Sequence, residues 1–362
     1  MLEFVYQFPA HIDSRRSPHT LLHCRRGTCS RLKRTHLEFR CSAAESVDIL
    51  SPLSTEGFRV REGHFEGQRH IGQKAFPLVI TPADGFGPSL DDALEWVKNS
   101  KPKIESALYD HLAILFRGFP ARSPEEFDRF LGAFQYDDVN IRKSIFGSVR
   151  RLLEASPFEY IWLHHEDPLF PRPISKIFFM CEEPAKEGGQ TTIAPSTVLV
   201  DKFKQVDPEM FHRCVSKQIL SASIVSEATF LRFFEGSSIA DAKAKAAAKG
   251  YSAEILDDGR IWLKAIRSPV FRHPITGTES WYNHMSWDWA RFYSPKLPTS
   301  GTAYGDGTEA RDDCIRVRDL AEEEKVAIPW KSGDVLMIDN FLCLHGRENY
   351  VPPRKNYAGF FH

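Results

Sequence analysis

Four consecutive polar residues, His164-His165-Glu166-Asp167, end an apolar stretch and carry the side chains best suited to chemistry. In an extended strand, side chains two positions apart lie on one face, so His164 is grouped with Glu166 and His165 with Asp167. Either pair offers an imidazole and a carboxylate to a metal ion. By spacing alone the two pairs are equivalent, and a third ligand must come from elsewhere in the chain.

A remote histidine that can complete either pair lies near the C-terminus. Gly333-Asp334 opens an apolar strand, Asp339-Asn340 makes a turn, and a second short strand brings in His345. Two histidines and one carboxylate form the facial triad of non-haem Fe(II) oxygenases, which leaves three adjacent positions open on the iron. The sequence therefore predicts a mononuclear iron site.

Several motifs, in order along the chain, resemble those of the TauD/TfdA-like (taurine dioxygenase and clavaminate synthase-like) Fe(II)/2-oxoglutarate-dependent oxygenases. The resemblance covers nearly all of the chain after residue 70. Besides the two metal-ligand elements, the motifs are Phe76-Pro77-Leu78-Val79, Leu115-Phe116-Arg117-Gly118-Phe119, Gly188-Gly189-Gln190-Thr191 and Trp281-Tyr282-Asn283. Many short strands with helical inserts fit one mainly β domain, a double-stranded β-helix or jelly-roll of the clavaminate synthase-like kind.

The resemblance favours one of the two ligand registers. Clavaminate synthase-like members place His-x-Glu after an apolar residue, as Leu163 precedes His164 here. The implied metal ligands and catalytic residues are His164, Glu166 and His345. His165 and Asp167 would then face away, where a structural hydrogen bond is expected.

The resemblance also implies that a hydroxyl and a cation of the protein bind the distal carboxylate of 2-oxoglutarate. In the family, the hydroxyl comes from a threonine after Gly-Gly-x, here Thr191, while its neighbour Thr192 would face away. The cation comes from a strand shortly after the distal histidine. Lys355 occupies the position at which the family usually has an arginine, whereas Arg354 is the neighbouring residue of the right type. Because side chains alternate along a strand, only one of the two can point inward. A second family arginine is replaced by Gly359, so recognition of a sulfonate such as taurine is not supported.

Asn283 and Arg117 are the polar candidates for contact with the primary substrate. Asn283 lies in a segment that resembles a strand near the family's active site, whereas the adjacent Trp281 and Tyr282 are interpreted as core. Arg117 is either a clamp for a substrate carboxylate or half of a buried structural ion pair, and the structural interpretation is favoured. The same two interpretations apply to Arg347, just beyond the distal histidine.

The resemblance implies an oxygenase that couples the decarboxylation of 2-oxoglutarate to succinate and CO2 with oxidation of a small molecule, such as an amino acid or a specialised metabolite. The outcome, whether hydroxylation, desaturation or oxidative cyclisation, is left open, as are the primary substrate and the oligomeric state. A catalytically silent jelly-roll that binds a metal or metabolite is the alternative. A zinc hydrolase fits the ligands but leaves the Gly-Gly-x-Thr and late basic motifs without a role.

Composition narrows the class of protein further. With 42% hydrophobic and 26% charged residues the chain has an average soluble composition, and its net charge of −1 argues against nucleic-acid or membrane-surface partners. The seven cysteines lack close-paired metal spacing, except for the looser pair Cys24 and Cys29, and predict reduced thiols.

The N-terminal region differs from the rest of the chain. Between Asp13 and Glu38 there are no acidic residues, but arginine and lysine recur among serines and threonines. This composition predicts an organelle transit peptide over residues 1–42, with a plastid favoured and a mitochondrion, or a disordered basic tail on a cytoplasmic protein, as alternatives. Residues 43–70 are interpreted as a linker or arm, and 71–362 as the dioxygenase domain.

Three local patterns predict secondary structure directly. Ser123-Pro124-Glu125-Glu126 is a capping box, and the aromatic residues that follow it have the spacing of one buried helix face. Asp257-Asp258-Gly259 separates two strand-like segments and predicts a hairpin. Ser196 is expected to cap a helix near 197–205.

Overall fold

The computed structural model describes residues 53–54, 58–83, 89–139, 147–152, 156–289 and 298–362. The transit peptide predicted over 1–42 lies outside these residues and stays a prediction. Cys181, Cys214, Cys314 and Cys343 are all free thiols in the described part, in agreement with the expected reduced state. None of the described helices is both long and apolar enough to cross a membrane.

The helices are distributed along the described chain between the strands. They are α1 (Leu90–His111), α2 (Pro124–Phe134), α3 (Ser196–Val206), α4 (Pro208–Lys217), α5 (Glu227–Phe233), α6 (Ile239–Ala248), α7 (Met285–Asp288) and α8 (Arg311–Glu322).

The strands are short and nearly all of their pairings are antiparallel. They are β1 (Val60–Gly63), β2 (Arg69–Ile71), β3 (Lys74–Phe76), β4 (Leu78–Pro82), β5 (Ala113–Phe116), β6 (Arg150–Arg151), β7 (Ile161–His164), β8 (Lys176–Glu183), β9 (Glu187–Gly188), β10 (Thr191–Pro195), β11 (Ile219–Val225), β12 (Tyr251–Ile255), β13 (Ile261–Arg267), β14 (Val270–Arg272), β15 (Glu279–Trp281), β16 (Gly301–Tyr304), β17 (Val326–Ile328), β18 (Val335–Asp339), β19 (Cys343–Arg347), β20 (Tyr350–Val351) and β21 (Lys355–Phe361).

Two sheets form the centre of the molecule. The larger has the order β1-β4-β5-β18-β8-β21-β6, and the smaller has the order β17-β10-β19-β7. One apolar cluster contains residues from both sheets, including Phe179, Leu336 and Phe360 from the larger and Ile193 and Ile328 from the smaller. The two sheets therefore pack face to face around a common interior, which is where a jelly-roll holds its site.

The outer face of each sheet is covered by helices. Under α1 and α2, the larger sheet contributes Phe178 and Met180 to an aromatic-rich cluster. The smaller sheet contributes Ala194 and Leu344 to a second cluster with α3, α4 and α8. Because β8 is buried on both faces, its sequence is a continuous apolar run rather than an alternating one.

The local predictions for α2 and the hairpin are confirmed. Ser123 accepts from the backbone of Glu126, whose side chain returns to the Ser123 N–H, and Phe127, Phe130 and Phe134 are buried on one face. Strands β12 and β13 pair antiparallel across the predicted turn, in a separate sheet of order β12-β13-β11-β16. The molecule is mainly β with helical inserts, as predicted.

Two expectations are corrected by the structure. Part of the 43–70 segment, predicted as a linker or arm, belongs to the fold: β1 pairs with β4, and Phe58 stacks on Trp96 with ring centroids 5.2 Å apart. Ser196 is not a helix cap, because Pro195 occupies that position and the Ser196 hydroxyl lies 3.0 Å from His165 Nε2 instead.

Candidate metal centre

Two strands of the smaller sheet bring the two predicted histidine ligands together. In the antiparallel pairing of β7 with β19, His164 is the direct partner of His345, and their ring centroids are 4.3 Å apart. Side chains directly opposite each other on antiparallel strands lie on the same face. Residues half the chain length apart in sequence therefore meet side by side in the interior.

Glu166 closes the group from just beyond the end of β7. Its Oε2 atom lies 3.8 Å from His164 Nε2 and 3.5 Å from His345 Nε2. One ligand atom from each of the three residues lies within 4.8 Å of the others, and no other such group of metal-ligating side chains occurs among the described residues. The sequence argument assumed that the strand continues through Glu166, but it ends at His164.

Asn340 determines where Glu166 lies. Its Oδ1 accepts from the Glu166 backbone N–H at 2.9 Å, and its Nδ2 donates to the Glu166 carbonyl at 3.0 Å and to the Ile174 carbonyl at 2.9 Å. The side chain of Asn340 is fully buried. Sequence reasoning identified Asp339-Asn340 only as a turn, so this contact was missed.

His165 faces away from the group, so the alternative register is not the one the structure forms. Its Nδ1 lies 2.6 Å from the Asn340 carbonyl oxygen, and its Nε2 lies 3.0 Å from Ser196 Oγ and 2.9 Å from the Trp281 carbonyl. Burial lowers the pKa of His165 to about 3. A neutral ring has one N–H and can donate to only one of the two carbonyls; with the proton on Nδ1 it donates to Asn340, and Nε2 accepts from the Ser196 hydroxyl. These contacts are those of a structural histidine.

The electrostatics of the group suit a cation. Burial, together with the neighbouring His345, lowers the pKa of His164 to about 3, so its imidazole is neutral at physiological pH. Its Nδ1–H donates to the Trp162 carbonyl at 2.8 Å, which leaves the Nε2 lone pair directed toward Glu166. Two imidazoles and a carboxylate that converge on one point are the ligand set of a mononuclear divalent metal site.

Aromatic rings enclose the three side chains. Trp287 lies against His164 with ring centroids 4.7 Å apart, and Phe179 lies against His345 at 5.4 Å. Glu166 and His345 are buried, while 17% of the His164 side chain is exposed. The group is therefore reached from the His164 side and is buried on the other. His345 Nδ1 is buried and has no hydrogen-bond partner in the described part of the chain.

Thr191 and Arg354 are both buried, and Arg354 bonds to Gly189, two residues before Thr191. Thr191 shares the inward face of β10 with Ile193, the direct partner of His345, whereas Thr192 points to the opposite face. The Thr191 hydroxyl accepts from Trp330 Nε1 at 3.2 Å, a contact that sequence reasoning did not find. Arg354 is buried, and its Nε donates to the carbonyl of Gly189 at 2.9 Å.

Lys355 points outward, where its ammonium lies 3.3 Å from Glu183 and its side chain is 45% exposed. Of the two predicted cations, the structure thus places only Arg354 inside. Gly189 permits this placement: its φ is +71°, and a Cβ there would lie 3.0 Å from Arg354 Cδ and 2.9 Å from Tyr350 Cβ.

The predicted substrate contacts are engaged with the protein itself. Asn283 donates to the Pro269 carbonyl at 3.2 Å and accepts from the Met285 N–H at 2.9 Å. Arg117 forms an ion pair with the buried Asp334 at 2.6 Å, so the structural interpretation fits it. Arg347 donates to the carbonyls of Ser156 and Glu159. All three side chains bond to other parts of the protein, so these contacts give none of them a role in binding the substrate.

A buried charge network lies directly behind the Asn340 contact. Lys176 Nζ is 2.8 Å from Asp339 Oδ2, and His273 Nε2 is 3.4 Å from the same oxygen. Burial alone would raise the pKa of Asp339, but Lys176 and His273 together outweigh it and hold that pKa below its ordinary value. This network was not found in the sequence, because its members are distant in the chain.

Comparison with known proteins assigns the chain to a family. The sequence pattern described as "Taurine catabolism dioxygenase TauD, TfdA family" matches residues 77–358. The chain belongs to the TauD/TfdA family. A clavaminate synthase-like protein of Arabidopsis thaliana is 31% identical over 324 residues, which is 80% of this chain and 95% of that protein. The dapdiamide synthesis protein DdaC of Enterobacter agglomerans is 22% identical over 272 residues, 69% of this chain and 82% of that protein.

Solved structures show the same fold. Two structures of PvcB, one of them from Pseudomonas aeruginosa, match with TM-scores of 0.53 and 0.52 at 19% identity, and each match covers 85% of this chain and 93% of the other. One of them is described as an Fe, alpha-ketoglutarate dependent oxygenase from an isonitrile synthetic pathway. The predicted clavaminate synthase-like double-stranded β-helix is thereby confirmed for this TauD/TfdA member.

Proposed function

We propose that this protein is an Fe(II)/2-oxoglutarate-dependent oxygenase in which His164, Glu166 and His345 hold the iron. The observation that carries the proposal is the approach of one ligand atom from each residue to within 4.8 Å of the others. Membership of the TauD/TfdA family supports it. So does the description of PvcB, a protein of the same fold, as an Fe, alpha-ketoglutarate dependent oxygenase.

One group of side chains binds the metal and a second group binds the co-substrate. Two neutral imidazoles and one carboxylate compensate only part of the charge of Fe(II), so an anionic 2-oxo acid is attracted to the open positions. Bound iron supplies the redox chemistry that couples decarboxylation of 2-oxoglutarate to substrate oxidation with O2. Arg354 and Thr191 hold the distal carboxylate, and Trp330 orients the Thr191 hydroxyl by donating to its oxygen.

Enclosure by aromatic rings completes the site. Phe179 and Trp287 contact the two histidines, so water has limited access to the reacting centre and electrostatic contacts there are strengthened. The opening on the His164 side is the route for the primary substrate. Gly359 lies on the outer face of β21, where a Cβ would meet Leu131, so the expectation against a sulfonate that was drawn from this position does not apply.

An amino acid or a specialised metabolite derived from one is the proposed substrate class. Two similar proteins bear names that connect them with such metabolites, one with dapdiamide synthesis and one with an isonitrile synthetic pathway. A panel of amino acids and their amides, each tested for succinate formation above the uncoupled background, would identify the substrate.

The decisive experiment separates turnover from mere binding. Fe(II) and 2-oxoglutarate added without oxygen should give the weak visible charge-transfer band of the chelate, and admission of air should give succinate. Absence of both would favour a silent metal- or metabolite-binding jelly-roll. Hydrolysis supported by zinc without O2 uptake would instead identify a zinc hydrolase.

A further inference from the structure

Asn356 carries a buried amide whose two polar atoms lack hydrogen-bond partners. The residue is 4% exposed, and neither Nδ2 nor Oδ1 is bonded within the described residues. Buried side-chain amides in proteins are normally paired, and unpaired ones require an explanation. The contrast with Asn340, whose amide makes three bonds to backbone groups, is direct. A purely structural amide would be tied down in the same way.

The amide of Asn356 points into the interior between the two sheets. Along β21, Ala358 and Phe360 belong to the interior cluster, whereas Tyr357 and Phe361 belong to the outer one. Alternation places Asn356 on the inward face with the former pair. Its cross-strand partner on β8 is Cys181, two residues from Phe179, and Phe179 lies against His345.

Strand pairing gives the spacing of Asn356 from Phe179, whose ring contacts His345. Two residues along a strand cover about 6.6 Å, so Asn356 is displaced by this distance along the sheet from the level of Phe179. That displacement is comparable to the span of a five-carbon dicarboxylate chelated at the metal. Arg354, the next inward residue of the same segment, is buried at this end of the interior and donates to Gly189, two residues before Thr191.

We propose that Asn356 donates from Nδ2 to the distal carboxylate of 2-oxoglutarate, beside Arg354 and Thr191, and thereby selects dicarboxylate over shorter 2-oxo acids. The inference rests on the proposed function and adds a residue to its co-substrate site. An amide provides two donors without adding charge, and a hydrogen bond to a carboxylate is stronger than one between neutral groups. The bound carboxylate would supply the partner that the amide lacks.

The test is equilibrium binding of two 2-oxo acids to the Fe(II)-loaded protein without oxygen, by titration calorimetry. One ligand is 2-oxoglutarate, and the other is 2-oxobutanoate, which chelates the metal through the same groups but has no distal carboxylate. Asn356→Leu, which keeps the size of the side chain, should raise the Kd for 2-oxoglutarate by about tenfold or more, the effect of one lost charge-assisted hydrogen bond. Asn356→Asp should raise it further by repulsion. The Kd for 2-oxobutanoate should not change in either variant.

Tyr357→Phe is the matched control, because Tyr357 is the adjacent residue and its hydroxyl faces outward to Glu182. It should leave both Kd values unchanged. Asn356→Leu should also unfold at the same or a higher temperature than the native protein, since no protein hydrogen bond is lost. Unchanged 2-oxoglutarate binding in both Asn356 variants, equal weakening of both ligands, or a large drop in unfolding temperature would overturn the inference. A native protein that binds neither acid would overturn the proposed function itself.

Discussion

The side-chain amide of Asn340 bonds to both backbone groups of Glu166, accepting from its N–H and donating to its carbonyl. Glu166 follows the last residue of β7, so its carboxylate is not positioned by strand pairing. Instead, the Asn340 amide holds Glu166 in place, although Asn340 lies in a turn 174 residues later in the chain.

Replacement of Asn340 should therefore affect metal binding as well as stability. Asn340→Ala leaves the Glu166 and Ile174 backbone groups without partners in a buried region, which costs about 1–3 kcal/mol of unfolding free energy for each such group. We expect at least a tenfold loss of Fe(II) affinity in the fraction that folds. Calorimetric metal titration, with denaturant unfolding of the same samples, would show both effects, and native metal affinity in the variant would exclude a positioning role.

The two histidine registers make opposite predictions for substitution. His164→Ala and His345→Ala should each reduce Fe(II) binding and succinate formation below detection, because a facial triad retains only two ligands after either change. His165→Gln should retain part of the activity, although with lower stability, since His165 bonds to Asn340 and Ser196 rather than to the metal. Loss of metal binding only in the His165 variant would show that the wrong register had been assigned.

Arg354 and Lys355 differ in the side of the sheet on which they lie. Arg354→Ala should raise the Kd for 2-oxoglutarate by about a hundredfold, in line with the loss of a buried charge-assisted contact of about 3 kcal/mol. Lys355→Ala removes only an exposed ion pair and should change that Kd less than twofold. The comparison uses the same anaerobic titration. A larger effect from Lys355 would reverse the assignment.

The buried pair of Lys176 and Asp339 supports the turn that carries Asn340. Lys176→Met should lower the free energy of unfolding by about 3–5 kcal/mol, because it leaves the Asp339 carboxylate buried without its main countercharge. Chemical denaturation measures the loss. Adding Asp339→Asn to the Lys176 variant should recover part of it, and a fully additive double variant would mean that the two charges do not interact.

His111 predicts a pH dependence of stability that is separate from the metal group. Burial lowers the pKa of His111 below its ordinary value of 6.5, against the opposing effect of its bond to the Ala75 carbonyl. The unfolded chain therefore takes up a proton that the folded protein does not, so stability is complete above pH 6.5 and declines as the pH falls below it. His111→Gln should reduce this decline in unfolding free energies measured between pH 7 and pH 5 without abolishing it, because burial also lowers the pKa of His164 and His165. An unchanged slope would contradict the assignment.

Most of the metal group could be predicted from sequence because its members carry unusual side chains in short, ordered motifs. His164, Glu166 and His345 lie together as their spacing and the family resemblance implied. Sequence could not decide between Arg354 and Lys355. That choice depends on which residue enters β21 facing inward, and the register is set by pairing with β8.

Residues that act through long-range contacts were not predictable in the same way. Asn340, Lys176 and Trp330 each bond to a partner more than a hundred residues away, and nothing in their immediate sequence indicates that partner. Ser196 illustrates the opposite error. Its local context suggested a helix cap, but a buried histidine distant in sequence lies within reach of the hydroxyl. The polar sequence before residue 70 suggested an arm, but β1 lies at the edge of the larger sheet with mostly exposed side chains. It therefore pairs with β4 without an apolar sequence pattern.

The pairing of β7 with β19 also has a consequence for how the protein is made. His164 acquires its companion imidazole only when residue 345 has been synthesised and paired, and β8 is flanked by β18 and β21 from the same late part of the chain. A nascent or C-terminally truncated polypeptide thus contains two of the three ligands but no site. The three-ligand group can therefore form only after β19 has been synthesised and has paired with β7.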